Sequence, residues 1–214
     1  MMYYKKEKKQ KGRGGKFYAK SSGAPKLKVI VLGGLEEVGR NMTLLEYEND
    51  IILIDMGLQF PEEDMPGIDY IIPNVSYLKG KEKNIRGVVI THGHYDHIGA
   101  IPHLIPRLGN PTIYGTQLTC AIIKKRQEDY KSAKLNLATV KEDDVLTLGK
   151  FKIEFIHVNH NIPDSVAIVV HTPIGTVIHT GDWKFDYTPV DERPADFAKI
   201  SEIGRKGVLA LMSD

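Results

Sequence analysis

Four side chains that commonly bind metal ions lie within six positions of the segment THGHYDHIGA (91–100). They are His92, His94, Asp96 and His97. Imidazole nitrogens and carboxylate oxygens are suitable ligands for Zn²⁺, and also for Mn²⁺ or Fe²⁺. Residues 88–90, just before the cluster, are typical of a buried strand, and side chains can converge in the turn that follows a strand. The spacing therefore predicts a metal site at a strand end.

Four ligands cannot complete two metal sites, and two further candidates follow predicted strands elsewhere. His160 comes after FKIEFIHV (151–158), and Asp182 comes after VIHTG (177–181). A carboxylate has two oxygens and can bridge two ions about 3.5–4 Å apart. We assign His92, His94 and His160 to the first site. Asp96 and His97 are assigned to the second site, and Asp182 would bridge the two.

Asp55 ends the predicted strand IILID (51–55) and is the best candidate for orienting a ligand histidine. It would accept a hydrogen bond from the ring nitrogen that does not bind the metal. The remaining histidines lack a comparable position. We expect them to be packed or surface residues: His103, His157, His171 and His179.

The pattern of apolar segments predicts an α/β fold with hairpins, buried strands and interspersed helices. Strands are predicted at 27–34 and 111–116, and a hairpin over 42–57 that turns at Asn49 and Asp50. Helices are predicted over 98–108 and 117–135. Hairpin-like strands are predicted over three later segments: 144–158, 165–182 and 207–214.

Composition excludes several classes of protein. The 214 residues include one cysteine, and no apolar run reaches the length of about 18 residues that spans a membrane. We therefore expect no disulfide framework, no membrane span and no secretory signal, and a cytoplasmic location.

Residues 1–26 differ in charge from the rest of the chain. They carry nine Lys and Arg against one acidic residue, a net charge of +8 in a chain of net charge +2. We expect a basic disordered tail over 1–26 and a folded domain over 27–214. The tail would be either a solubilising arm or a sequence-independent arm for RNA or another polyanion.

The motifs together resemble a known family. HGHYDH occurs in order with four further segments: GGLEEVGRNM (33–42), FPEEDMPGIDYIIP (60–73), IPDS (162–165) and TGDWKFD (180–186). The histidine motif is similar to that of the metallo-β-lactamase superfamily as a whole. The acidic loop, IPDS and GDWKFD narrow the resemblance to the RNA-processing β-CASP branch, in the ribonuclease J family.

The resemblance implies a fold, a reaction and a set of partners. The fold is an αββα sandwich with two Zn²⁺ ions, or Mn²⁺, at its edge. The family cleaves RNA internally and also degrades it in the 5′-to-3′ direction from a 5′-monophosphorylated end. A homo-oligomer and an association with other RNA-decay proteins are implied for the full-length form.

The resemblance also implies roles for individual residues. The six ligands and Asp55 match family positions, and Asp214 resembles the acid that begins the β-CASP signatures and supports the general-acid histidine. Asp96 and Asp182 would also act in catalysis. A further histidine ligand and the β-CASP histidines would lie beyond position 214, so we expect a metallo-β-lactamase domain truncated before its β-CASP insertion.

Two positions depart from the family pattern, and two alternative functions stay open. Tyr95 stands where Glu is common, and Asn161 stands where Ser usually follows the ligand histidine. One alternative is a small-molecule metallo-hydrolase such as a thioesterase, which would cleave acyl-thioesters but not RNA. The other is a non-catalytic fragment that binds metal or RNA.

Overall fold

The computed structural model describes residues 25–130, 134–190 and 193–214. The predicted basic tail lies outside these residues except for its last two positions. None of the described helices combines the length and the apolar character that crossing a membrane requires.

In the described residues there are two β-sheets, and the first contains six strands in chain order. Strands β1 to β3 pair antiparallel, and β3 to β6 pair parallel. The strands are Leu27–Gly33 (β1), Met42–Tyr47 (β2), Asp50–Ile54 (β3), Ile85–Val89 (β4), Ile113–Gly115 (β5) and Leu137–Thr139 (β6).

The second sheet contains five strands in the order β11-β10-β9-β8-β7. All neighbours pair antiparallel except β10 and β11, which are parallel. The strands are Val145–Leu148 (β7), Phe151–His157 (β8), Val166–Thr172 (β9), Gly175–His179 (β10) and Ala210–Met212 (β11).

Helices cover the outer face of each sheet. Three short 3₁₀ turns accompany them, at Ser76–Leu78, Glu82–Asn84 and Ile105–Leu108. The α-helices are Tyr95–Ile98 (α1), Ile101–Leu104 (α2), Gln117–Gln127 (α3) and Phe197–Lys206 (α4).

Alternation along the strands creates three apolar layers. In β3, Ile51 and Leu53 face the helices α1 to α3, whereas Ile52 and Ile54 face the second sheet. In β9 the same two-residue period directs Val169 toward Ile203 of α4. Because both sheets are buried on both faces, the result is four layers, and the predicted αββα sandwich is confirmed.

Several predicted boundaries were wrong. The first hairpin turns at Glu48 and Asn49, since Tyr47 pairs with Asp50. The helix predicted over 98–108 begins earlier, at Tyr95, and is split into α1, α2 and a 3₁₀ turn. Proline has no N–H to continue a helix, and α2 and the 3₁₀ turn each begin with a proline in their first turn.

The remaining helical differences lie later in the chain. Helix α3 ends at Gln127, eight residues before the predicted end at 135. Helix α4 and strand β6 were not predicted at all. The side chain of Asp196 caps α4 by accepting a hydrogen bond from the backbone N–H of Lys199 (2.9 Å).

Candidate metal centre

The candidate site lies where the carboxyl ends of strands from both sheets come together. In the first sheet, Asp55 follows β3 and His92 comes shortly after β4, which is parallel to β3. In the second sheet, β8 and β10 both run antiparallel to β9, so their carboxyl ends share an edge. His160 follows β8 and Asp182 follows β10. Because these strands run in the same direction within each sheet, residues that are distant in the sequence meet at one edge of the sandwich.

Carbonyl groups of helix α1 accept hydrogen bonds from neighbouring loops. The N–H groups of Met56 and Asn41 donate to the carbonyls of His97 (2.7 Å) and Asp96 (2.9 Å). A side chain at Gly57 would place its Cβ 1.5 Å from the Asp96 carbonyl oxygen, so only glycine allows this approach. The segment 55–57 thus fixes the backbone that carries Asp96 and His97.

Three imidazoles form the first cluster, which we call the three-histidine group (His92, His94 and His160). His92 Nε2 lies 3.1 Å from His94 Nδ1. His160 Nε2 lies 3.3 Å from the same Nδ1 atom. The ring of His92 is fully buried, whereas the other two are partly exposed and face the solvent side of the site.

An imidazole and two carboxylates form the second cluster, which we call the His97 group (Asp96, His97 and Asp182). His97 Nε2 lies 3.1 Å from Asp182 Oδ1 and 3.4 Å from Asp96 Oδ2. The second oxygen of Asp182 lies 3.7 Å from His160 Nε2 in the three-histidine group. The carboxylate of Asp182 therefore directs one oxygen toward each group.

The structure brings all six predicted ligands into one cluster, with one difference in how they group. One set of mutually close donor atoms comprises His92, His94 and His160, as in the sequence-based assignment. The other set comprises His92, His97 and Asp182, all within 4.8 Å of one another, and does not include Asp96. His92 thus lies between the two groups, and Asp96 lies at the outer side of the second.

Asp55 orients histidines in both groups. Its Oδ2 accepts a hydrogen bond from His97 Nδ1 (2.8 Å), and it also accepts from the Thr91 hydroxyl (2.9 Å). Thr91 Oγ1 in turn lies 3.0 Å from Nδ1 of His92. Asp55 is almost completely buried and has a left-handed backbone φ of 61°. Backbone strain of this kind persists where surrounding contacts fix it, often at functional sites.

Burial and charge shift the pKa values of the cluster in opposite directions. Burial lowers the pKa of His92 to about 3, so this ring is neutral. For His97, burial favours the neutral form, but Asp55, Asp182 and Asp96 outweigh it and raise the pKa to about 12. Burial opposes ionisation of Asp182, yet the hydrogen bond and charge of His97 lower the pKa of its carboxyl to about 2.

The donor set fits a metal ion better than it fits a hydrogen-bond network. His94 Nδ1 has one lone pair, so it cannot accept hydrogen bonds from Nε2 of both His92 and His160. Metal–nitrogen bonds of about 2.0–2.1 Å in a tetrahedral arrangement place ligand atoms about 3.3 Å apart. The observed separations of 3.1 and 3.3 Å match that spacing.

Asp214 lies beside the metal cluster at the end of β11. Its backbone N–H donates to Thr180 Oγ1 (3.3 Å), and its charge raises the pKa of His160 against the larger opposing effect of burial. Both Asp214 and Asp182 line a cavity of about 460 Å³ that extends to Asp55 and His97. Asp214 therefore borders the same cavity as Asp182 and His97.

Sequence reasoning missed Asn41 and Thr91. The amide Nδ2 of Asn41 lies 3.2 Å from His97 Nε2 and 3.4 Å from Asp96 Oδ2. Asn41 belongs to the quoted segment GGLEEVGRNM, but its contact with residues more than fifty positions away is not readable from one sequence. Thr91 adjoins the histidine motif, and that position was the only available signal for it.

The four histidines outside the cluster have other surroundings. Nδ1 of His179 accepts a hydrogen bond from the backbone N–H of Gly181 (3.0 Å). The His103 ring stacks on Tyr70, with a centroid distance of 4.3 Å. His157 Nε2 lies 3.0 Å from the carbonyl oxygen of Arg193, and His171 Nε2 lies 3.1 Å from Glu154.

The four-layer fold and the clustered histidines and aspartates define a class of protein. The sequence model of the metallo-beta-lactamase superfamily matches residues 35–202. The chain belongs to this superfamily.

Curated relatives narrow the similarity further. The chain is 43% identical over 198 residues to ribonuclease J of Synechocystis sp., covering 92% of this chain and 31% of that protein. It is 40% identical over 203 residues to ribonuclease J of Thermus thermophilus, covering 91% and 35%. Ribonuclease J2 of Bacillus subtilis is 38% identical over 196 residues, covering 91% and 35%. The chain spans about a third of the length of these relatives.

Solved structures support the fold alone. A protein of unknown function from Enterococcus faecalis aligns with a TM-score of 0.60 at 19% identity, covering 76% of this chain and 44% of that one. The metallo-beta-lactamase fold protein YhfI from Bacillus subtilis aligns with a TM-score of 0.51 at 23% identity, covering 74% and 63%. Both alignments are consistent with the αββα architecture.

Proposed function

We propose that this chain is the metal-binding part of a ribonuclease that hydrolyses RNA phosphodiester bonds with two metal ions. The observation that carries the proposal is the convergence of two donor groups with a carboxylate between them. Asp182 directs one oxygen toward the three-histidine group and the other toward the His97 group. Two ions held this way, Zn²⁺ or Mn²⁺, would lower the pKa of a water molecule and offset the charge on a phosphate.

The residues of the chain have distinct parts in this reaction. The three-histidine group would bind one ion, and Asp96 and His97 would bind the other. Asp182 would bridge the ions and orient the attacking water through its free lone pairs. Asp55 would keep Nε2 of His97 directed at the ion by accepting a hydrogen bond from Nδ1–H.

Relatives and charge support RNA as the substrate. Proteins named ribonuclease J are about 40% identical to the chain. The net charge of +8 over residues 1–26 suits a polyanion, because basic side chains release counterions from phosphates. We propose internal cleavage together with 5′-to-3′ degradation from 5′-monophosphorylated ends.

Protonation of the leaving group, oligomerisation and cellular partners are proposed for a longer form of the protein that includes the β-CASP region. A β-CASP histidine would protonate the leaving oxygen, and Asp214 would support it. We propose a cytoplasmic homo-oligomer that associates with other RNA-decay proteins in rRNA processing and mRNA decay. The single cysteine fits that reducing compartment.

The proposal is tested by comparing RNA cleavage with ligand substitutions in a longer form that includes the β-CASP region. His94→Ala and Asp182→Ala should each abolish hydrolysis of 5′-monophosphorylated RNA. His171→Ala serves as the control, since His171 pairs with Glu154 away from the cluster and should leave turnover unchanged.

Two results would contradict the proposal. Normal turnover in the Asp182→Ala protein would remove the bridging role. Cleavage of acyl-thioesters with no cleavage of RNA would identify a small-molecule hydrolase instead.

A further inference from the structure

A second groove borders the metal cluster. Its volume is about 800 Å³, and it shares His94 and Asp96 with the cluster. Between these two residues, the ring of Tyr95 also lines the groove and is 43% exposed. A molecule held at the cluster can therefore extend directly over Tyr95.

The Tyr95 ring is held in place from one side. The guanidinium of Arg126 lies over it, 4.4 Å from the ring centroid. Arg126 is itself fixed, because it donates two hydrogen bonds to the carbonyl oxygen of Gly99 (3.0 and 3.3 Å). Arg126 does not line the groove, so the cation backs the ring and leaves the groove side available for stacking.

The rest of the groove is apolar and acidic. Phe60 and Val38 line it with exposed fractions of 66% and 88%. The exposed carboxylates of Glu36 and Glu62 also border it. Acidic groups repel phosphates, whereas they accept hydrogen bonds from the amino groups of bases. An aromatic surface with acidic neighbours therefore suits a nucleobase and not the phosphate backbone.

We propose that this groove binds the base of the nucleotide whose phosphate lies at the metal cluster, with Tyr95 as the stacking platform. The inference rests on the proposed function, since it requires a nucleotide at the cluster. Every base has an aromatic face, so stacking on Tyr95 strengthens binding without selecting one sequence.

The test compares two ligands that differ by the base. Binding of adenosine 5′-monophosphate and of ribose 5-phosphate to the metal-loaded chain is measured by titration calorimetry. We expect the nucleotide to bind about 5- to 150-fold more tightly than the sugar phosphate, the range typical of one stacked base. Tyr95→Ala should reduce that ratio to near one and leave the affinity for ribose 5-phosphate unchanged.

Two further variants separate stacking from folding. Tyr95→Phe keeps the ring and should keep the ratio. Tyr187→Ala removes an exposed ring that does not line the groove and should also keep it. The backbone contact of the Tyr95 carbonyl with the N–H of Leu58 survives every substitution at this position, and a thermal melt checks the fold.

Equal affinity for the two ligands in the unsubstituted chain would overturn the platform, as would an unchanged ratio in Tyr95→Ala. RNA cleavage by the longer form distinguishes this failure from failure of the proposed function. Cleavage of RNA together with equal affinity for the nucleotide and the sugar phosphate removes the platform alone. Absence of both cleavage and the affinity difference removes both.

Discussion

The two donor groups of the metal cluster differ in how they are supported. In the His97 group, Nδ1 of the central imidazole bonds to the buried carboxylate of Asp55, and Asn41 contacts both His97 and Asp96. In the three-histidine group, only His92 is connected to Asp55, through Thr91. Within the described part of the chain, no carboxylate bonds the second ring nitrogen of His94 or His160. The His97 group is thus held by a hydrogen-bond network, and the three-histidine group is held mainly by the position of its backbone.

The difference extends to protonation. The ring of His97 is protonated on both nitrogens and positively charged at neutral pH, because its pKa is raised to about 12. The lowered pKa values of His92 and His160 leave those rings neutral. A metal ion must displace a proton to bind His97 but not to bind the other two. The carboxylates that orient His97 therefore also stabilise its protonated form, and the proton competes with a metal ion for Nε2.

The largest predicted effect is a contrast in pH dependence. Because a proton leaves His97 when metal binds, affinity at the His97 group should rise about tenfold per pH unit, or about 100-fold from pH 6 to pH 8. Because the pKa values of His92 and His160 are lowered, these two ligands should add less pH dependence to binding at the three-histidine group. Metal titrations of His160→Ala, which retains the His97 group, and Asp96→Ala, which weakens it, measure the two dependences. Parallel curves for both variants would contradict the contrast.

The second-largest effect is expected for Asp55→Asn, which should weaken the hydrogen-bond network around His97. The substitution removes the charge that pairs with His97 and replaces one of the two acceptor oxygens of Asp55 with an amide donor, so His97 and Thr91 compete for the remaining oxygen. Changes of this kind lower metal affinity by about 10- to 100-fold. Removing one partner of a buried ion pair also costs about 3–5 kcal/mol in the free energy of unfolding. Metal titration and urea unfolding measure both effects. Asp186→Asn, which changes an aspartate paired with Lys184 outside the cluster, is the control and should alter neither.

Asn41→Ala should have a smaller effect confined to the His97 group. The amide holds Asp96 Oδ2 at 3.4 Å, so its removal frees that carboxylate without changing the charge. We expect affinity at this group to fall about tenfold, the lower end of the range for such supporting residues. Asn161→Ala, beside His160, is the matched control. Equal losses at both groups, or none, would show that Asn41 does not position Asp96.

The sequence was sufficient for those features that depend on local patterns. His160 and Asp182 could be placed at strand ends because each follows an apolar run and a turn, and the structure brings both to the cluster. The αββα fold was predicted from family resemblance and is confirmed. The local sequence patterns and the similarity of the motifs were therefore enough to predict much of the fold.

Features that depend on distant contacts were not predictable. Asn41 reaches Asp96 only because the backbone groups of two loops bond to each other around Gly57. The division of the helix predicted over 98–108 follows from Pro102 and Pro106, whose effect on the boundary was underestimated. The position of His92 between the two groups depends on side-chain packing that residue spacing does not encode.

The central claim is that two metal ions occupy this cluster. Anomalous X-ray diffraction from crystals of the metal-loaded protein, recorded at the absorption edge of the bound metal, tests it most directly. We predict two peaks, one among His92, His94 and His160 and the other beside His97 and Asp96, with Asp182 between them. A single peak, or a second peak away from His97, would contradict the account.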